Sequence, residues 1–336
     1  MGKVSVLGAG TWGTALAILL ANKGIDVTIW TKIEKEAKAL EENRKDVKNL
    51  PGAQLPEQVK ITLDLEEACK DKEVIVMAVA SPYVRATAHS ASPYIKKDQI
   101  IVNVSKGIED GTLYTLSEVL KDEIPQGDIA VLSGPSHAEE VSRGIPTTIV
   151  VGAQTQHTAK IIQDIFMTDV FRVYISPDII GIELGASLKN VIALAAGIVD
   201  GLGFGDNTKA ALMTRGITEI SRLGITMGGK LETFAGLSGI GDLFVTCTSI
   251  HSRNWKAGNL MGQGKTMDEA MKEVNQVVEG VNSAKAALAL AKKYNVEMPI
   301  VEQINRVLFE GKTTKDAVTD LLMRDRRMEH STLEWD

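Results

Sequence analysis

The sequence predicts an α/β protein with an N-terminal doubly wound parallel sheet and an all-α C-terminal domain. In the first half, short apolar runs rich in β-branched residues alternate with stretches of helical periodicity, the pattern of strands covered by helices on both faces. From Pro177 onward the strand signal stops and helical periodicity continues. A length of 336 residues also exceeds what one core normally fills. We therefore expect two domains: residues 1–178, which would bind a dinucleotide, and residues 179–336, a helical substrate and catalytic domain.

Each predicted element follows from a local run of residues. The predicted strands are Val4–Leu7, Val27–Trp30, Val74–Ala78, Ile100–Val102, Ile129–Leu132, Thr148–Val151 and Phe171–Ile175. The predicted helices of the first half are Trp12–Asn22, Lys35–Glu42, Leu113–Leu120 and Ala159–Phe166. Those of the second half are Ile179–Val199, Lys209–Leu223, Val281–Tyr294, Ile300–Phe309 and Thr314–Leu322. The glycine clusters Gly228-Gly229 and Gly239–Gly241 predict tight connections, and the charged end from Arg324 to Asp336 predicts a mobile tail.

Composition and charge exclude several classes of protein. Hydrophobic residues make up 44% of the chain, too large a share for an intrinsically disordered protein. The formal net charge of −6 argues against a nucleic-acid-binding protein, which normally carries an excess of positive charge. No apolar run reaches the roughly 18 residues of a membrane span, and the two distant cysteines, Cys69 and Cys247, are no disulfide framework. We expect a cytoplasmic protein without membrane insertion or nucleic-acid partners.

Gly8, Gly10 and Gly13 form the pattern G-x-G-x-x-G, which directly follows the first predicted strand and opens the first predicted helix. Alone the pattern is weak, but this position between strand and helix is the one that Rossmann-type dinucleotide-binding folds require. The first glycine permits the tight turn, the second lets the pyrophosphate approach the backbone, and the third allows close packing of helix on strand. The helix N-terminus then offers N–H groups to the phosphates. A glycine-rich turn without a ligand is the alternative.

The end of the second predicted strand bears on the choice between NAD and NADP. An acidic residue normally lies there and binds the ribose hydroxyls of NAD. This sequence has Thr31 and Lys32 instead, with Glu34 slightly later. A carboxylate would repel the 2′-phosphate of NADP, whereas threonine and lysine can accept it. We therefore expect NADP or NAD as cofactor, with NADP favoured; a solvated Lys32 at a helix start is the alternative.

Polar segments follow three of the predicted strands, where ligands bind in doubly wound folds. These segments are Ala80–Pro82, Val104–Gly107 and Ser133–Ala138. Lys106 could bring a cation to a substrate oxygen, and the turn from Gly134 to Ser136 could supply hydrogen-bond donors. The alternative is that these glycines and prolines only form loops.

The helical half contributes a lysine with two open interpretations. Lys189 lies within a strongly apolar predicted helix, where it either extends to the surface or is held in a cleft with a shifted pKa. A desolvated lysine near a second cation, such as Lys106, can titrate near neutrality, as a general acid or base must. Asp242 and Thr246 could orient its ammonium group.

Further residues of the helical half could bind an anion. Arg253 and Asn254 resemble a fork for phosphate, whereas Cys247 is expected to be a small buried hydrophobic residue rather than a nucleophile. The five histidines are scattered without the spacing of metal ligands, so we expect no metal.

Taken together, these segments resemble the bacterial-type NAD(P)-dependent sn-glycerol-3-phosphate dehydrogenases. The matching motifs span nearly the whole chain: Gly8–Gly13, Val104–Gly107, Ser133–Glu140, Leu188–Val191, Gly197–Asn207, Gly239–Asp242, Cys247–Asn254 and Val277–Gly280. Two positions depart from the family. Thr11 replaces the usual serine but keeps the hydroxyl, and Lys32-Ile33 stand where the family often has histidine or arginine.

The resemblance implies a reaction and a set of site residues. The reaction is reversible reduction of dihydroxyacetone phosphate to sn-glycerol 3-phosphate by NADPH or NADH, which supplies glycerol 3-phosphate for phospholipid synthesis. Catalysis is assigned to Lys189. Substrate contacts are assigned to Lys106, Gly134, Ser136, Lys189, Asp242, Ser252, Arg253 and Asn254. Cofactor contacts beyond the glycine motif are assigned to Thr11, Trp12, Lys32, Lys106, Ala138, Arg253, Val277 and Glu279.

Two rival interpretations stay open. One is another two-domain dehydrogenase of the β-hydroxyacid or ketopantoate type, against which the segments Lys189-Asn190 and Ser252–Asn254 argue. The other is a non-catalytic sensor of a nucleotide or sugar phosphate, which missing polar site residues would favour; none of the family's substrate positions is lost. A fold alone does not decide between such functions. The expected partner is a small phosphorylated substrate, and a homodimer is left open.

Overall fold

One mixed sheet of eight strands organises the first half of the chain in the computed structural model, which describes residues 2–329 except 46, 48, 49 and 327. Strands β1 to β8 are Lys3–Leu7, Asp26–Trp30, Lys60–Thr62, Val74–Met77, Ile100–Asn103, Asp128–Ser133, Thr147–Ala153 and Phe171–Ser176. They lie side by side in the order β3-β2-β1-β4-β5-β6-β7-β8. The chain order therefore reverses between β1 and β4, which is where doubly wound sheets bind their ligands.

The predicted parallel sheet is wrong at one junction, because β6 and β7 pair antiparallel. The connection between them carries only the four-residue helix Ala138–Val141. A parallel crossover returns to the opposite edge of the sheet and usually contains a full α-helix, whereas an antiparallel strand can start at the edge where the previous strand ends. The segment after Ser133 therefore stays at the edge where β6 ends, which keeps it close to the loops that follow β4 and β5.

Helices cover both faces of this sheet. Helices α1 to α7 are Thr11–Asn22, Glu34–Glu42, Leu65–Cys69, Val84–Ala91, Leu116–Glu123, Ala138–Val141 and Gln156–Phe166. Strand β3 and helices α3, α4 and α6 were not predicted; of these, β3, α3 and α6 have only three to five residues each. The predicted helix Leu113–Leu120 begins later, because Thr115 and Glu118 form a capping box at the start of α5, and Leu113 has a left-handed φ of 62°.

The second half of the described chain is helical. Helices α8 to α16 are Ile179–Gly201, Asp206–Thr226, Leu231–Phe234, Asp242–Thr248, Arg253–Gly262, Met267–Val274, Glu279–Lys293, Pro299–Phe309 and Thr314–Leu322. The tight connection predicted at Gly239–Gly241 is wrong, because Leu237–Gly241 forms a turn of π-helix that leads directly into α11. A Cβ on Gly239 would lie 1.9 Å from the Phe234 carbonyl oxygen, so glycine permits this close turn.

Helix α8 is the centre of the helical core. Glycines let it approach α12 closely, since a Cβ on Gly197 would lie 2.0 Å from the carbonyl oxygen of Trp255, and one on Gly258 would lie 2.0 Å from that of Leu194. Its length and mean hydropathy of 1.6 would suffice to cross a membrane, contrary to the sequence-based expectation, but 89% of the apolar window is buried inside the protein. It therefore has the surroundings of a core helix.

The same helix contacts the sheet. Ile182 packs with Val131 of β6 and Val150 of β7 in a small apolar cluster. A division of the chain into two domains after residue 178 stays a prediction. The predicted mobile tail lies partly outside the described residues, which omit 327 and 330–336.

Candidate active site

Two lysines share one buried carboxylate at the junction of the sheet and the helical half. Nζ of Lys189, on α8, donates to Oδ1 of Asp242 and to Oγ1 of Thr246, both at 2.5 Å. Nζ of Lys106, in the loop after β5, donates to Oδ2 of Asp242 at 2.7 Å. Thr246 in turn donates to the Asp242 carbonyl oxygen at 2.6 Å, one turn earlier on α11. The four side chains therefore form one hydrogen-bonded group.

Burial determines the ionisation of this group. Lys189 is only 5% exposed and Asp242 only 1%. Desolvation lowers the pKa of Lys189 from 10.5 to about 8; the attraction of Asp242 opposes that shift, and the positive charge of Lys106 adds to it. Burial alone would raise the pKa of Asp242, but the two ammonium groups hold it below its ordinary value. Lys189 does not extend to the surface; its side chain is buried and its pKa is lowered.

The loop that carries Lys106 is fixed at both ends. Oγ of Ser105 donates to the Val79 carbonyl oxygen at 2.5 Å. N of Gly107 donates to Oγ of Ser187 at 2.9 Å, and that hydroxyl donates back to the Gly107 carbonyl oxygen at 3.0 Å. Because Ser187 lies on α8 just before Lys189, the helix that carries one lysine also holds the loop that carries the other.

A buried carboxylate reinforces this connection, and sequence reasoning missed its role. Glu183 of α8 accepts hydrogen bonds from Nδ2 of Asn103 at 3.1 Å, from N of Ser117 at 2.9 Å and from Oγ of Ser117 at 2.5 Å. Burial raises its pKa, although the bonds from Ser117 and Asn103 oppose that shift. The available signal was a glutamate within a strongly apolar predicted helix. The sequence could not show its partners, because they lie more than 60 residues earlier in the chain.

The segment after β6 lies beside the lysines. The Gly134 carbonyl oxygen accepts from Nζ of Lys106 at 3.3 Å and from Oγ of Ser136 at 2.9 Å. His137 was not predicted as a site residue; its Nε2 lies 3.3 Å from the Val245 carbonyl oxygen of α11. Burial lowers the pKa of His137, and the charge of Lys189 lowers it further. Its imidazole therefore favours the neutral form beside the two ammonium groups.

The predicted anion-binding segment begins helix α12. Oγ of Ser252 caps this helix by accepting from N of Trp255 at 3.2 Å. Arg253, the first residue of the helix, is exposed. Asn254 is instead buried, donating to Oδ1 of Asn190 at 3.0 Å and accepting from N of Gly280 at 2.8 Å. Asn254 thus holds α8, α12 and α14 together, and Arg253 is the member of the pair open to a ligand.

The glycine turn has the form of a dinucleotide cradle. Gly8 has a φ of 124°, and a Cβ there would lie 2.7 Å from the Ala78 carbonyl carbon. A Cβ on Gly13 would lie 2.2 Å from the Gly8 carbonyl oxygen, whereas one on Gly10 would meet nothing within 4 Å. The turn is thus closed towards the protein and open in front of the N-terminus of α1. Nε1 of Trp12 is buried without a hydrogen-bond partner among the described residues. These features fit a bound dinucleotide phosphate.

The remaining predicted cofactor residues lie at separate places. Thr11 begins α1, Ala138 begins α6, and Lys32 is exposed after β2. Val277 is 39% exposed just before α14. Glu279, the first residue of α14, accepts from N of Ser81 at 3.3 Å and from Oγ of Ser81 at 2.6 Å. This contact joins the loop after β4 to the helical half.

Two further predictions concern cysteine and metal. Burial raises the pKa of Cys247 to about 12, so its thiol stays protonated, and Cys69 and Cys247 are both free and buried. Within the described part of the chain, no group of three or more histidine, cysteine, aspartate or glutamate side chains has metal-binding geometry.

Family models match both halves of the chain. Residues 3–159 match the model described as the N-terminus of NAD-dependent glycerol-3-phosphate dehydrogenase, and residues 178–319 match the model of its C-terminus.

Individual proteins show the same similarity. A glycerol-3-phosphate dehydrogenase (NAD(P)+) of Agathobacter rectalis is 61% identical over 335 residues, covering 100% of both chains. The crystal structure of a glycerol-3-phosphate dehydrogenase from Coxiella burnetii superposes with a TM-score of 0.90 at 37% identity, covering 96% of this chain and 99% of that one. A ketopantoate reductase from Ralstonia eutropha covers 94% of this chain and 99% of its own, with a TM-score of 0.63 and 14% identity. The last similarity shows a shared fold alone.

Proposed function

Because the chain belongs to the NAD-dependent glycerol-3-phosphate dehydrogenase family, we propose that Lys189 is the acid and base of the reaction that the family name describes. The protein is an NAD(P)-dependent oxidoreductase that interconverts dihydroxyacetone phosphate and sn-glycerol 3-phosphate. The observation that carries the assignment is the buried ammonium group of Lys189, held by Asp242 and Thr246 beside Lys106. No other described lysine has both this burial and a second lysine on the same carboxylate.

The proton chemistry follows from the charges of the group. Bound NADH or NADPH supplies the hydride that reduces the carbonyl carbon. As negative charge builds on the carbonyl oxygen, the Lys189 ammonium donates its proton there, and Lys106 keeps a positive charge nearby. In the oxidative direction, neutral Lys189 takes the hydroxyl proton. Asp242 stays ionised throughout, because its pKa is held below the ordinary value.

Arg253 would bind the substrate phosphate. Arg253 is the first residue of α12 and its side chain is exposed. The N-terminus of the helix also favours an anion at this place. The contacts of Asn254 with Asn190 and Gly280 support an indirect role, in which Asn254 fixes the start of α12 next to Lys189. The remaining substrate contacts, from Gly134, Ser136 and Ser252, are part of the same proposal.

The cellular setting is also proposed. The reaction would supply glycerol 3-phosphate for phospholipid synthesis in the cytoplasm. The burial of α8 inside the protein and the two free, buried cysteines support that location. A homodimer stays a prediction.

One assay tests the proposed reaction and separates it from its rivals. Initial rates are measured with dihydroxyacetone phosphate, dihydroxyacetone and ketopantoate, each with NADH and with NADPH. We expect turnover of dihydroxyacetone phosphate and very poor use of dihydroxyacetone, since the phosphate supplies charge-assisted hydrogen bonds that orient the substrate. Equal kcat/KM for the two dihydroxyacetones would contradict a phosphate site at Arg253. Turnover of ketopantoate alone would identify the rival dehydrogenase, and binding without turnover would identify a sensor.

A further inference from the structure

At the end of strand β2 lies a carboxylate whose position the local sequence pattern does not reveal. Thr31, the residue after the strand, is buried, and its hydroxyl donates to Oε2 of Glu36 at 2.7 Å. The same hydroxyl accepts from N of Ile33 at 3.2 Å, which fixes its orientation. Glu36 belongs to the first turn of α2. The helical turn therefore returns this side chain to the strand end, five residues after Thr31.

This strand end adjoins the dinucleotide cradle. Strands β1 and β2 pair in parallel up to Leu7 and Trp30, and N of Gly8 donates to the Trp30 carbonyl oxygen at 2.8 Å. The first glycine of the cradle and the residue before Thr31 are thus directly hydrogen-bonded. In dinucleotide-binding sheets, the ribose next to the adenine lies against this end of the second strand. The carboxylate of Glu36 consequently lies where a group that discriminates between NAD and NADP acts.

We propose that Glu36, positioned by Thr31, determines the cofactor preference and favours NADH over NADPH. The inference rests on the proposed function and refines its choice of cofactor. A carboxylate accepts hydrogen bonds from the ribose hydroxyls of NADH and repels the 2′-phosphate of NADPH. The hydroxyl of Thr31 already donates its proton to Glu36, so in this conformation it has none to offer a phosphate.

Lys32 acts in the opposite direction. Its side chain is exposed and has no ion-pair partner among the described residues, so it can attract the 2′-phosphate. NADPH therefore remains usable, but the repulsion from Glu36 outweighs the attraction of Lys32 for the 2′-phosphate, so NADH is preferred. The NADP preference expected from the sequence depended on the lack of a carboxylate at this strand end, and Glu36 removes that premise.

The test measures cofactor binding directly. Dissociation constants for NADH and NADPH are determined by fluorescence titration without substrate, for the unmodified protein and for the variants Glu36→Gln and Thr31→Val. The matched control is Glu34→Gln, which removes a carboxylate from the same helical turn, where Glu34 pairs with Lys38 at 2.7 Å. Steady-state KM values for both cofactors with dihydroxyacetone phosphate are measured in parallel.

We expect Glu36→Gln to lower the ratio of Kd for NADPH to Kd for NADH by about tenfold or more. This is the usual effect on a dissociation constant of losing one hydrogen bond to a charged group. Thr31→Val should lower the ratio less, because the carboxylate remains but loses its anchor. An unchanged ratio in Glu36→Gln, or an equal change in Glu34→Gln, overturns the proposal. If both cofactors bind with the expected ratios but dihydroxyacetone phosphate is not reduced, the proposed function fails and this inference stands. If neither cofactor binds, both fail.

Discussion

Nζ of Lys189 donates to Oδ1 of Asp242 at 2.5 Å, in a place where each side chain is at least 94% buried. The contact joins α8 to α11, and the second oxygen of the same carboxylate binds Lys106. Two positive charges and one negative charge therefore share a buried site. A net positive charge suits a reaction in which negative charge develops on a substrate oxygen, and it allows Lys189 to lose its proton near neutral pH.

Replacement of Lys189 tests the proposed proton transfer. Loss of a general acid or base typically costs about 10²–10⁴-fold in rate. We therefore expect Lys189→Met to lose at least about 10²-fold in kcat for dihydroxyacetone phosphate reduction while NADH binding persists. The matched control is Lys72→Met, since Lys72 is a partly buried lysine of the sheet half, bonded to Thr28 at 2.8 Å, whose pKa is also lowered by burial. A folded Lys189→Met protein with most of its kcat would exclude the catalytic role.

The pKa of Lys189 predicts opposite pH dependences for the two directions. Burial lowers this pKa to about 8. Reduction needs the protonated ammonium, so its kcat should fall as pH rises through about 8. Oxidation needs the neutral amine, so its kcat should rise over the same range. The measurement is kcat against pH in both directions at constant ionic strength; parallel profiles would show that another group controls the rate.

Asp242→Asn should move those profiles. The carboxylate favours the charged form of Lys189 and opposes the effect of burial. Without it, the two ammonium groups repel each other, and the pKa of Lys189 should fall further. The limb of the reductive profile should therefore shift to lower pH, and kcat at neutral pH should decrease. A limb that stays in place, in a variant that retains its thermal stability, would show that Asp242 does not set this pKa.

Arg253 is expected to bind the phosphate of the substrate, in addition to the cofactor contact that the family resemblance implies. A hydrogen bond to a charged group contributes about 1.5–3 kcal/mol, so Arg253→Ala should lower kcat/KM for dihydroxyacetone phosphate by about 10-fold to 100-fold. The loss with dihydroxyacetone should be smaller, because that ketone has no phosphate. Lys256→Ala removes another exposed cation of α12 and serves as the control. Equal losses for both ketones in Arg253→Ala would point to a change in the helix rather than a lost phosphate contact.

Glu183 should affect both stability and the Lys106 loop. Glu183→Ala leaves the buried donors of Ser117 and Asn103 without an acceptor, which should destabilise the protein by roughly 3 kcal/mol. Glu183→Gln keeps an oxygen that can accept these hydrogen bonds. It also removes the buried carboxyl group, whose ionisation is unfavourable because burial raises its pKa. It should therefore stay close to the unmodified protein. Chemical denaturation measures the stability, and a normal kcat in Glu183→Ala would show that the loop does not depend on this contact.

Local patterns in the sequence determine much of this structure. Seven of the eight described strands correspond to predicted apolar runs, and helix α1 begins at Thr11, one residue before its predicted start. Burial on both faces and the glycine turn can each be recognised within a few residues of sequence. The sequence also contains the motifs that led to the family, and the family models match the same regions.

Only the tertiary structure decided which residues from distant segments of the chain contact each other. The sequence left Lys189 either at the surface or in a cleft, and the choice depends on Asp242, which lies 53 positions further along the chain. The direction of β7 depends on how little helix its connection contains, and the carboxylate beside Thr31 depends on the rotation of α2. Periodicity reports which face of an element is buried, but not which elements meet. The contacts between elements determine which charges act on a site, because electrostatic interactions depend on distance through space and on burial.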